Sequence, residues 1–91
     1  MTLQDYGKIE VVCIFPQLNR RRYYCVSVEA GLFGPILVRS WGRIGWRIMR
    51  RKENCFVGGN LSEALDTANH LIARKLRKGY EVSAGELPLQ I

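Results

Sequence analysis

At 91 residues the chain has room for one modest core and little for a deep enzyme cleft, because a chain of this size buries only roughly 60–65% of its unfolded surface. Apolar residues make up 47% and charged residues 24%, which excludes wholesale disorder and a collagen-like fibre. Fourteen Lys and Arg against eight Asp and Glu leave a net charge of +6, so the first partners to consider are polyanions, either nucleic acid or an anionic membrane surface.

The N-terminal stretch MTLQDYGKIE has neither a basic region nor a long apolar one, so it is not expected to be a secretory signal. No run approaches the roughly 18 apolar residues of a membrane span. The expected compartment is therefore the cytoplasm, where thiols stay reduced. Residues 1–7 read as an irregular lead-in. Lys8 to Phe15, KIEVVCIF, is rich in β-branched residues and stopped by Pro16, which predicts a strand. Gln17 to Arg20 is a loop. Arg21 to Glu29 is a second strand, with Tyr24, Val26 and Val28 on one side and Tyr23, Cys25 and Ser27 on the other. Two glycines and a proline make Ala30 to Pro35 a turn. Ile36 to Trp41 is a third strand, Gly42 to Gly45 a turn, and Trp46 to Lys52 a fourth strand. Asn54 to Val57 either extends the fourth strand or forms a short fifth piece. Four strands joined by short links favour an antiparallel meander.

Gly58-Gly59 breaks the strand pattern. Asn60, followed three residues later by Glu63, is a helix N-cap arrangement. Leu61, Ala64, Leu65, Ala68, Leu71, Ile72 and Leu76 then recur at helical spacing, predicting a helix over about 60–78 with one apolar stripe. Basic residues crowd its last turn, matching the helix dipole, and Gly79 follows as the terminating residue. Residues 80–91 are expected to be mostly extended or loose. Strands first and a long helix last give an α+β domain, the helix covering one face of a small antiparallel sheet of about four strands.

Three cysteines, Cys13, Cys25 and Cys55, make an odd and widely spaced set, which argues against a disulfide framework. With His70 they could supply four zinc ligands, but no close CxxC-type pair is present. Buried structural thiols and no metal are the expectation. His70 is expected on the helix surface near Asp66. No pairing of nucleophile and base is evident, and Gly58-Gly59 lacks the lysine and spacing of a phosphate-binding loop, so no catalytic residues and no cofactor are assigned.

The positive charge is concentrated. Residues 20–52 hold nine basic residues, eight of them Arg, against Glu29 alone. Arginine forks fit phosphate oxygens and stack on rings. Trp41 and Trp46 are interleaved with Arg39, Arg43 and Arg47, a mixture suited to holding a sugar-phosphate chain. The same residues also fit a plainer arrangement, with the tryptophans in the core and the arginines in solvent. The runs Arg50-Arg51-Lys52 and Arg20-Arg21-Arg22 are either phosphate patches or solvated edges that discourage sheet pairing.

Trp41-Gly42-Arg43-Ile44-Gly45 lies downstream of Arg22-Tyr23-Tyr24 and Leu32-Phe33-Gly34. Upstream of Lys75 through Gly79-Tyr80, it completes a pattern that resembles the WGR domain over about 22–80. That family occurs in the DNA-damage-activated poly(ADP-ribose) polymerases and in bacteria, alone or joined to other modules. The resemblance implies a small antiparallel sheet with a packed helix, and a DNA-binding role near strand breaks. By the same resemblance, Trp41 would pack on the sugar of a terminal nucleotide and Arg43 would hold the backbone. Gly42 and Gly45 would let the turn approach the ligand closely. Arg39, two residues before Trp41, would share its strand face and add a phosphate contact. Arg47, Arg50, Arg51 and Lys52 complete the expected nucleic-acid-binding set. At Trp46 the family often has a smaller or polar residue, and this chain departs from it there; Trp46 is expected to pack on the sheet or cap the hairpin. The expectation is a stand-alone, non-catalytic module binding DNA, or RNA as a variant, with little sequence preference. The alternative is a protein-interaction or self-association module. A membrane partner is not expected, because the helix's apolar face is needed for the core.

Overall fold

Three strands whose alternate residues are apolar supply one wall of the core. The computed structural model describes residues 2–56 and 59–87, with β1 at Gly7–Phe15, β2 at Arg20–Ala30 and β3 at Pro35–Arg43. Ile9 lies opposite Val26, Val11 opposite Tyr24, and Val28 opposite Leu37, all buried on the same face. Helix α1, Leu61–Arg77, lays Ala64, Ala68 and Ile72 across that face. The two alanines let the helix approach the sheet closely, and Ile72 fills the space beyond them. The Asn60 side chain accepts a hydrogen bond from the Glu63 amide at 2.9 Å, satisfying one of the orphan donors of the first turn. Gly79, at φ 97°, ends the helix as expected, and the Tyr80 amide turns back to the Lys75 carbonyl at 3.1 Å.

With β4 at Met49–Cys55 and β5 at Glu81–Leu87, the sheet has five antiparallel strands in the order β4-β3-β2-β1-β5. The meander of the first four is as expected. The fifth is new: residues 81–87, expected to be extended or loose, pair with the free edge of β1 through an irregular register. Val57, Gly58 and the tail from Pro88 onward lie outside the described residues. The β3–β4 hairpin also differs from expectation. β3 runs on through Gly42 to Arg43, and β4 begins at Met49 instead of Trp46. The positive φ that a turn needs occurs at Gly45, at 83°, and not at Gly42. Gly42 is small for another reason: a Cβ there would sit 3.0 Å from the Ile48 carbonyl oxygen and 3.2 Å from the Tyr23 hydroxyl.

Leu3, in the irregular lead-in, is fully buried. Its backbone is clamped by one side chain of α1. The Leu3 amide donates to Asn69 Oδ1 at 2.6 Å, and Asn69 Nδ2 donates to the Leu3 carbonyl at 3.0 Å. Of the three thiols expected to be buried, Cys13 is buried, Cys25 half-buried and Cys55 exposed, because every residue of β4 is exposed. His70 lies on the exposed helix surface as expected. Asn69→Ala removes both bonds of the clamp and strands two partly buried backbone groups. It should lower stability by about 1–3 kcal/mol in urea unfolding and speed amide exchange at Leu3.

Candidate nucleic-acid interface

The alternation of β3 places Leu37, Arg39, Trp41 and Arg43 on the face that carries the helix. Leu37 is buried beneath α1, whereas Arg39, Trp41 and Arg43 are half-buried beyond it. Trp41 is opposite Tyr24 in the register, and the two rings stack with centroids 6.2 Å apart at 30°. The indole is thus anchored on one side by the core. It lies within β3, as the strand expected over Ile36 to Trp41 placed it.

The last turns of α1 form the opposite wall. A hollow of about 240 Å³ is lined by Tyr24, Arg39, Trp41, Leu71, Arg74, Lys75 and Lys78. A second, of about 460 Å³, is lined by Arg22, Tyr23, Trp41, Gly42, Arg43, Lys75 and Tyr80. Trp41 and Lys75 belong to both, so the two form one groove. Its lining has six cations and no carboxylate. The Arg39 Nε is buried with no protein acceptor. Lys75 Nζ lies over the Tyr24 ring, 4.7 Å from its centroid, and over Tyr80 at 5.1 Å. Burial depresses the Lys75 ammonium below its ordinary value, and Lys78, Arg74 and Arg22 push it further down. An anion in the groove would relieve that repulsion.

Arg43 is held in place. Its Nη1 donates to the Asn19 carbonyl at 2.9 Å and its Nη2 to Asn19 Oδ1 at 3.0 Å. Asn19 can present both oxygens because it adopts the left-handed conformation, φ 50°, at the end of a short 3₁₀ turn over Pro16–Leu18. The guanidinium also lies over the Trp46 ring at 5.6 Å. Trp46, expected to pack on the sheet or cap the hairpin, lies at the hairpin tip outside the core cluster and is 63% exposed.

The expected binding residues therefore divide. Trp41, Gly42, Arg43 and Arg39 line the groove. Arg50 and Lys52, opposite Trp41 and Arg39 in the register, extend its positive face onto β4. Arg51 points to the other side of the sheet, where it pairs with Glu53 at 2.6 Å, so it does not join them. Arg47 is exposed in the 44–48 connection, outside the groove lining. Arg74, Lys75 and Lys78 also line the groove, although the sequence pattern places them only at the basic end of the helix and, for Lys75 onward, in the family resemblance, and not among the expected binding residues. The signal that would have found them is spacing: Leu71, Lys75 and Lys78 recur at helical intervals beside the apolar stripe.

A family model described as the WGR domain matches residues 8–86. The chain is also similar to y4dW, an uncharacterized protein of Sinorhizobium fredii (strain NBRC 101917 / NGR234), with 35% identity over 81 residues; the match covers 88% of this chain and 38% of the relative. The chain thus spans about two-fifths of the length of that curated relative. No solved structure matches it.

Lys75 should release its proton at lower pH than an unfolded-chain lysine in an NMR titration. Because its folded value lies below its unfolded one, the unfolded state binds more protons between the two. Its contribution to stability should therefore rise with pH across that window, and Lys75→Met should remove the rise. Lys78→Gln should move the Lys75 titration back up.

Proposed function

The chain belongs to the WGR domain family, and from that premise we propose that it is a non-catalytic module holding the sugar-phosphate backbone or ends of DNA, with little sequence preference. In the poly(ADP-ribose) polymerases this domain is a nucleic-acid-binding module. The observation that carries the reading here is the groove beside Trp41. A half-buried indole, steadied by Tyr24, forms its floor, and cations from β2, β3 and α1 surround it without an acidic neighbour. A sugar or terminal base has the apolar face the indole needs, and flanking phosphates have the charge the cations need. Such backbone contacts position a protein without reading sequence. RNA of the same form is a variant of this ligand. The expected compartment is the cytoplasm, and among the described residues no helix is long and apolar enough to cross a membrane.

One observation favours a second reading, a protein-interaction module. Leu32 and Phe33, in the β2–β3 turn, are 90% and 73% exposed. They adjoin a mainly apolar hollow of about 190 Å³ that also involves Ile36, Cys55 and Phe56. A partner retained after nuclease treatment, and lost in Phe33→Ser, would support it.

Binding to intact, nicked and blunt-ended duplexes and to single strands, at two salt concentrations, tests the nucleic-acid reading. For duplexes, log affinity should fall with log salt by about 0.9 per phosphate neutralised. Trp41→Ala and Arg43→Ala should each weaken binding to a broken duplex by about tenfold, the scale of one lost stacking or charged contact. Failure to bind any nucleic acid at low salt would end this reading.

A further inference from the structure

We propose that the tip of the β3–β4 hairpin is a stacking platform for an unpaired base, with Trp46 as the platform. The inference rests on the nucleic-acid reading and adds to it a second site, separate from the groove at Trp41.

The tip is built to display a ring. Gly45, at φ 83° with nothing within 4 Å of the position a Cβ would take, turns the chain outward. The Trp46 amide donates to the Arg43 carbonyl at 3.1 Å, which fixes the backbone. Trp46 takes no part in the core, yet its indole is not loose: the Arg43 guanidinium lies over the ring, and Asn19 holds that guanidinium by two hydrogen bonds. With the Arg43 guanidinium over the ring, the indole is still 63% exposed, so much of its surface is free to meet a ligand. Exposed Arg47 is the next residue in the chain. A flat apolar surface beside positive charge fits a group that is flat and apolar with negative charge beside it, which describes a nucleobase on its phosphate chain. A paired base has both faces and its edge already engaged in the duplex. An unpaired one, in a single-stranded extension, a gap or a frayed end, has a face to offer. Arg43 joins the two sites, since it also lines the groove with Trp41. A strand lying in the groove therefore leads to the tip.

Three labelled ligands test this: a blunt duplex, the same duplex with a short single-stranded extension, and one whose extension consists of abasic residues. The wild type should bind the extension with bases about five- to a hundredfold tighter than the abasic one, the range measured for one base on an aromatic ring. Trp46→Ala should bring that ratio close to one with little change for the blunt duplex, and Trp46→Phe should keep most of it. An unchanged ratio in Trp46→Ala, with blunt-duplex binding intact, overturns the platform and leaves the groove reading standing. An equal loss on all three ligands also overturns it, making Trp46 a support for Arg43. So does an unchanged ratio accompanied by altered self-association or altered binding to anionic vesicles. Failure of the wild type to bind any of the three overturns the platform and the groove reading together.

Discussion

Strand β3 has to serve two environments with one face. Its period of two commits Leu37, Arg39, Trp41 and Arg43 to the same side of the sheet, while α1 shields only the part of that side near Leu37. The core therefore grades into a groove along a single strand. Tyr24 marks the boundary. It is almost fully buried, stacks on Trp41 across the strand pair, and carries the Lys75 ammonium over its ring. One side chain thus belongs to the packing and to the site. A change in how the helix sits on the sheet would alter both.

The charge arrangement runs against stability. Arg22 and Arg43 are cross-strand neighbours, and like charges directly opposite one another destabilise a sheet. Lys75 is partly desolvated among other cations, and Arg39 keeps a buried donor without a protein acceptor. The apolar face of Ile9, Val11, Val26, Val28, Leu37 and Ile72 holds the fold together in spite of this. On the other side of the sheet, Arg51 is paired with Glu53. The groove lining contains no carboxylate to pair its cations in that way.

Much of the fold was legible in the sequence because the signals were local. The helix had its cap at Asn60, its stripe and its stop at Gly79, and each corresponds to a feature of α1. β1 and β2 showed in their β-branched runs. The β3–β4 turn was misplaced because Gly42 looked like a turn former. Its smallness answers to the close approach of the Ile48 carbonyl and Tyr23, a contact between strands that local pattern does not reveal. β5 depends on a partner more than sixty residues away, across an irregular register, and Gly85 weakens its pattern. Leu3 likewise depends on Asn69 at a distance. In the site, Trp41, Arg39 and Arg43 were found by motif and alternation. Arg50, Arg51 and Lys52 were grouped as a run, whereas pleating sends the middle one to the opposite face. Lys75 belongs to the motif, but its place beside Trp41 comes from tertiary packing, which local pattern does not reveal.

The clamp between Arg43 and Asn19 has a kinetic meaning as well as a geometric one. Arginine normally surrenders considerable rotamer freedom when it grips a ligand. Here that freedom is already lost on folding, to two oxygens of a left-handed residue and to the ring of Trp46. The β1–β2 turn and the β3–β4 tip, which lie far apart in the chain, are consequently tied to each other at this end of the sheet. A chain held there as proposed would meet a surface that does not have to search for its bound shape. Differences in affinity among ligands should therefore lie mainly in how long each one stays.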